Sequence, residues 1–187
     1  MDLSSLLLDI TNYKGWLSGS YVRDVLIRKD PTYVIRDIDV LIPFALHKML
    51  VRVLGRKYNL TKEVIDYNRK EQIAHTHLHF GAIIIDIFSS EMYEYLSPPD
   101  FDVNTLCWTG EEFTIWYPVG DDDEEFYGYP FDVDSIIERA LRKEAVAMVG
   151  EWVNFDKEYM EERFDKLVLK DWTILNYEQG VNFLLSS

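Results

Sequence analysis

The chain has one cysteine, Cys107, among its 187 residues, so an internal disulfide is excluded and a reducing cytoplasm is the compartment expected. It has no apolar run approaching the length of a membrane span, so no membrane partner is expected. The opening MDLSSLLLDI lacks the basic flank and cleavage pattern of a secretory signal and reads as a short amphipathic helix. There is no internal repeat and no low-complexity linker. Disorder is excluded by what is present: 48% hydrophobic and 14% aromatic residues, enough for a substantial core.

Positive charge is scarce in the later part of the chain. Residues 1–70 carry 12 Lys and Arg against 8 Asp and Glu, whereas residues 71–187 carry 7 against 25, within a net charge of -14. Contact with a polyanion is thereby confined to the first third. The acidic remainder would repel nucleic acid and is better suited to a protein partner.

Apolar periodicity predicts a strand at 13–18, a helix at 21–28, a loop at 29–33 and a strand at 34–42 stopped by Pro43. Leu46, Met49, Leu50, Val53 and Leu54 then fall at helical spacing until Gly55. Strands are expected at 61–66, 72–80 and 82–88, with Gly81 as a bulge or turn. A loop at Ser97-Pro98-Pro99 precedes a hairpin of 103–108 and 112–117 around Thr109-Gly110. The acidic run 121–125 reads as a surface loop. One long helix is expected from Val133 to Trp152, and a second carrying Met160, Phe164, Leu167, Val168 and Trp172. The resulting class is α/β (α+β): residues 1–132 form a mixed sheet of about five strands flanked by helices, and residues 133–187 a helical C-terminal extension.

Two short stretches carry the chemistry. In RDIDVLI, residues 36–42, Asp37 and Asp39 lie two apart on a strand and share a face, while Ile38 and Val40 point into the core on the other. Two carboxylates so close in an apolar, buried-looking strand call for a positive partner, and Mg2+ suits hard oxygen ligands. Asp86, inside IIIDIF, is a third carboxylate among aliphatic residues and is expected to share the metal from an adjacent strand. Upstream, Gly19-Ser20 joins a strand to a helix, the arrangement in which backbone N–H groups receive phosphate. Arg23 in that helix's first turn opposes the macrodipole, a penalty that a bound triphosphate would reverse.

GSYVRDVLI followed by RDIDVLI, and DFDVNTL at 100–106, resemble three motifs of the head domain of class II tRNA CCA-adding enzymes and bacterial poly(A) polymerases. These belong to the polymerase β-like nucleotidyltransferase superfamily, and the resemblance covers about residues 13–145. It implies that Gly19 and Ser20 bind the triphosphate, that Arg23 and Asp24 support that site, and that Asn104 lies near the nucleotide. It implies that Asp37, Asp39 and Asp86 are the catalytic carboxylates and hold Mg2+, with Mn2+ as a substitute. The implied reaction transfers a nucleotide from an NTP to an acceptor hydroxyl, with an RNA or tRNA 3′ end as the acceptor. Nucleotidylation of a protein or small molecule stays open, as does a non-catalytic nucleotide-binding role.

Two further patterns lie near these motifs. His75, His77 and His79 alternate along one strand face, about 7 Å apart, a spacing too wide for one ion without a bulge; a half-exposed strand face is expected instead. Lys48, Arg52 and Arg56 recur every four residues as a basic ridge, expected beside the site and ready to take acceptor phosphates.

Overall fold

The computed structural model describes residues 2–90, 99–116, 125–149 and 157–185. It divides into two compact units, Met1–Ser97 with Cys107–Thr114, and Pro98–Leu106 with Ile115–Ser187.

The first unit begins with α1 (Leu3–Asn12), whose first turn is capped by the Asp2 carboxylate accepting from the Ser4 backbone N–H. β1 (Trp16–Ser18), β2 (Asp37–Leu41), α2 (Phe44–Tyr58), β3 (Thr61–Asn68), β4 (Ile73–Phe80) and β5 (Ile83–Ser90) follow. β6 (Leu106–Trp108) and β7 (Phe113–Ile115) complete a seven-stranded sheet in the order β3-β4-β5-β2-β1-β6-β7. It exceeds the expected five because the hairpin at Thr109-Gly110 joins the same sheet beside β1. β2 and β5 run parallel; β1 with β2, β3 with β4, and β4 with β5 run antiparallel.

Alternation along the central strands sets the core. Ile38 and Val40 of β2, Leu78 of β4, and Ile85 and Ile87 of β5 are buried on one face. α2 lies on this face, burying Leu50, Val51 and Leu54, and α1 packs against α2. Lys57 Nζ and Tyr58 Oη tie the two helices by donating to Asp9 Oδ2 at 2.5 and 2.6 Å. His47 of α2 is buried between Thr76 Oγ1 and Ser89 Oγ, each 2.9 Å from a ring nitrogen. Burial, helped by Lys62, pushes its pKa down to about 4, so a neutral ring completes the network. α2 runs through Gly55 and stops only where Asn59 turns left-handed at φ 52.

The second unit contains β8 (Glu125–Phe126), β9 (Tyr129–Pro130), α3 (Val133–Arg142), β10 (Glu144–Ala145), α4 (Lys157–Val168), β11 (Thr173–Ile174) and α5 (Tyr177–Leu185). The single long helix expected from Val133 ends at Arg142, because Lys143 adopts a left-handed φ of 57 and β10 starts at once, pairing in parallel with β11. Ala145, Met148 and Val149 are buried as core, but outside any helix; Trp152 lies outside the described residues. Trp172 is buried beyond the end of α4. Residues 121–124 of the acidic run also lie outside the described residues.

Asp102 organises this unit. It opens a short 3-10 turn, Asp102–Asn104, which replaces the start of the strand expected at 103–108. Its buried carboxylate accepts from Arg139 Nε at 2.6 Å and from the Val103 and Val146 backbone N–H groups, each at 2.8 Å. α3 thus contributes an internal ion pair through Arg139. Among the described residues, no helix is long and apolar enough to cross a membrane.

Candidate active site

Strand register places the acidic residues on neighbouring strands, although among the described residues the three carboxylates do not form a group within 4.8 Å of one another. β2 and β5 are parallel neighbours with Asp39 directly opposite Asp86, and Asp37 opposite Ile84. Side chains two apart on a strand share a face, so Asp37, Asp39 and Asp86 all project on the face of the sheet away from α2. They are less buried than expected: Asp37 is exposed, and Asp39 and Asp86 are partly exposed. The apolar character of both strands comes from Ile38, Val40, Ile85 and Ile87 on the other face. Desolvation therefore does not by itself call for a counter-ion here.

The glycine turn is fitted to one of these carboxylates. β1 and β2 pair Ser18 with Asp39, so the next residue, Gly19, turns beside the Asp39 side chain. Gly19 has a φ of 67, and a Cβ there would stand 1.9 Å from Asp39 Oδ2 and 2.9 Å from Asp39 Cγ. The missing side chain is thus required by Asp39 itself, before any phosphate is considered. Ser20 is held by Tyr33, with 2.5 Å between the two hydroxyl oxygens.

Residues Tyr21–Ile27 form a π-helical turn rather than the expected α-helix, closed by the Arg28 N–H donating to the Arg23 carbonyl five residues back. Arg23 and Asp24 are both buried and joined twice, Nε to Oδ1 at 3.1 Å and Nη2 to Oδ2 at 2.6 Å. Arg28 Nη1 adds a third contact to Asp24 at 3.1 Å. The charge of Arg23 is therefore compensated within its own turn, and the pair braces the segment that follows Gly19.

Across β5, the histidine face meets the same site. The Phe80–Ile83 pair closes a hairpin over Gly81-Ala82, and counting outward puts His77 opposite Asp86. A continuous row therefore crosses the sheet, Ser18, Asp39, Asp86, His77 and Glu63. His75 Nε2 lies 2.6 Å from Asp86 Oδ1, and His77 Nε2 lies 3.7 Å from the same oxygen. His77 Nδ1 and His79 Nε2 face Glu63 Oε2 at 3.8 and 3.5 Å. The expected separation of the histidines is overturned for two of them: among the described residues, the ligand atoms of His75, His77 and Asp86 all lie within 4.8 Å of one another. Their rings lean together, with centroids 5.0 Å apart. The two-residue turn was the sequence signal for this meeting, since it fixes which histidine faces Asp86.

The expected basic ridge falls elsewhere. Lys48, Arg52 and Arg56 are exposed on α2. α2 turns its other side to the sheet, where His47 reaches Thr76 and Ser89. The basic ridge is therefore on the opposite side of the sheet from the aspartates, and Lys48 Nζ instead covers the Tyr67 ring at 4.1 Å. Asn104 belongs to the second unit, where its amide donates to Asp100 Oδ1 at 2.6 Å.

The donor set fits a hard divalent cation in chemistry, since Asp37 and Asp39 present carboxylate oxygens on one exposed face. Asp86 is also engaged by His75.

No family model and no curated protein sequence matches the chain. Solved structures do. A tRNA-processing enzyme (apo form 2) superposes over 95% of this chain and 48% of its own, at 15% identity and a TM-score of 0.52. A tRNA-processing enzyme in apo form I covers 79% of this chain and 37% of its own, at 14% identity and a TM-score of 0.49. A CCA-adding enzyme in complex with CTP covers 57% of this chain and 26% of its own, at 20% identity and a TM-score of 0.36. The chain spans about half, or less, of the length of these structures. The match over 95% of the chain shows that the chain shares the fold of that tRNA-processing enzyme, with the mixed sheet flanked by helices that the sequence leads one to expect.

Proposed function

We propose that the protein is a divalent-metal-dependent nucleotidyltransferase that moves a nucleotide from an NTP to an acceptor hydroxyl. The observation that carries this reading is the placement of Asp39 opposite Asp86 on neighbouring parallel strands, with Asp37 on the same face and the Gly19 turn pressed against Asp39. In this reading Asp37 and Asp39, joined by Asp86, hold Mg2+, with Mn2+ as a substitute. Gly19 and Ser20 receive the triphosphate, and the Arg23–Asp24 pair keeps their backbone in place. Bound there, the metal would offset phosphate charge and assist in-line attack on the α-phosphorus with release of pyrophosphate.

For the acceptor, the fold shared with a tRNA-processing enzyme favours an RNA 3′ end. A second reading, transfer to a protein or small molecule, is favoured by charge: residues 71–187 carry 25 acidic against 7 basic residues, and the basic ridge faces away from the aspartates. The test supplies Mg2+ and each α-labelled NTP with tRNA lacking its CCA end, oligo(A), or total cell protein. Label on RNA that a 3′-deoxy terminus abolishes supports the first acceptor. Label on protein supports the second. No label on any acceptor, with NTP binding intact, refutes transfer and leaves a nucleotide-binding module.

A further inference from the structure

His75 and His77 set beside Asp86 two imidazole donors that nucleotidyl transfer does not require. Imidazole nitrogen is a poor ligand for Mg2+, which prefers oxygen, and a good one for first-row transition ions. We infer that these three side chains form a binding site for such an ion, with Zn2+ and Co2+ as its natural probes.

The geometry is close to that of a bound ion. Metal–ligand distances of roughly 2.0–2.2 Å put the donors of a tetrahedral site about 3.3–3.5 Å apart. His77 Nε2 and Asp86 Oδ1 are 3.7 Å apart, and all three donors lie within 4.8 Å of one another. The one contact that is too short is His75 Nε2 to Asp86 Oδ1, at 2.6 Å, a hydrogen bond that must open by less than 1 Å as an ion replaces the proton. The side chains have room for this tilt, at 26%, 24% and 30% exposure for His75, His77 and Asp86.

An independent feature points the same way. A histidine that ligates through one ring nitrogen characteristically directs the other at a carboxylate, which fixes the ring and raises its basicity. His77 aims Nε2 at Asp86 and turns Nδ1 towards Glu63 Oε2, 3.8 Å away. Three protein ligands leave a coordination position for water or a phosphate oxygen. Asp86 faces Asp39 across the strand pair, so the ion would be the immediate neighbour of any cation on Asp37 and Asp39.

The test is Co2+ titration of the full chain with no nucleotide present, followed by the visible absorption of the bound ion. Expected is one ion that depends on the histidines, with His75→Asn and His77→Asn each weakening its binding by at least the roughly 10–100-fold that loss of a supporting residue costs. His79→Asn, outside the donor set and facing Glu63 through Nε2, leaves binding unchanged. A readout free of variants comes from the wild-type chain, where Co2+ should shift the ring protons of His75 and His77 far more strongly than those of His47, which lies on the other face of the sheet. No Co2+ binding, full binding by both histidine variants, or unmoved His75 and His77 resonances would overturn the site. The inference does not rest on nucleotidyl transfer. Co2+ binding without any response to NTP would refute the proposed function and leave this site standing.

Discussion

Replacing Gly19 by alanine separates the cost to the fold from the cost to the site. The residue sits at φ 67, where a side chain costs about 1–2 kcal/mol. For a chain of this length, that lowers the melting temperature by about 2–8 °C. The larger consequence is local. The new Cβ would stand 1.9 Å from Asp39 Oδ2, and contacts below 3.0 Å are essentially never found, so that oxygen must retreat by more than 1 Å. Asp39 is a short, partly exposed side chain and can rotate away without unfolding the sheet. A displacement of that size at a reacting centre costs about 100-fold. Gly19→Ala should therefore melt a few degrees below wild type, keep its far-UV spectrum, and lose about 100-fold in Mg2+–NTP-dependent transfer. The assay pairs a melting curve with label transfer from each NTP. Transfer within a few-fold of wild type would refute the claim that Gly19 exists to accommodate Asp39. Complete unfolding would refute the claim that the clash is absorbed by one side chain.

His47 makes stability depend on pH. Its folded pKa lies near 4 against 6.5 when unfolded, so the unfolded chain binds the proton first and stability falls as pH drops from about 6.5 to 4, by about 3 kcal/mol in full. Urea melts of wild type and His47→Gln at pH 7 and 4.5 should show a smaller fall in the variant; parallel falls would contradict a neutral buried ring. In the second unit, a Cβ on Gly180 would meet the Phe164 ring at 2.2 Å, so Gly180→Ala should destabilise by about 1–3 kcal/mol. Phe164→Leu should relieve part of that loss, and strictly additive effects in the double variant would argue against the contact.

Much of the aspartate-bearing face was legible because strand alternation is a local signal. Ile38 and Val40 on one side of β2 put Asp37 and Asp39 on the other without any knowledge of neighbours. Which residues meet across strands is not local. The proximity of His75 and His77 to Asp86 follows from the two-residue turn at Gly81-Ala82, and spacing along β4 alone implied the opposite. The basic ridge was misplaced for a related reason: periodicity shows that Lys48, Arg52 and Arg56 share a helix face, but not which side of the sheet the helix covers. The helix from Val133 was overextended because Ala145, Met148 and Val149 are buried core in either conformation, and the left-handed Lys143 that ends it carries no glycine signal. Asp102 carried no visible purpose until Arg139 was found beside it.

The most direct measurement of the central claim is the melting temperature with and without Mg2+ and NTP, in wild type and in Asp39→Asn. At an NTP concentration 100 times its Kd, linkage stabilises the folded chain by about 2.7 kcal/mol. That corresponds to a rise of about 5–11 °C for a chain of this size. The account predicts this rise in wild type, its dependence on the metal, and its loss in Asp39→Asn, whose amide cannot supply the charge. An equal rise in both proteins, or none in either, would contradict it.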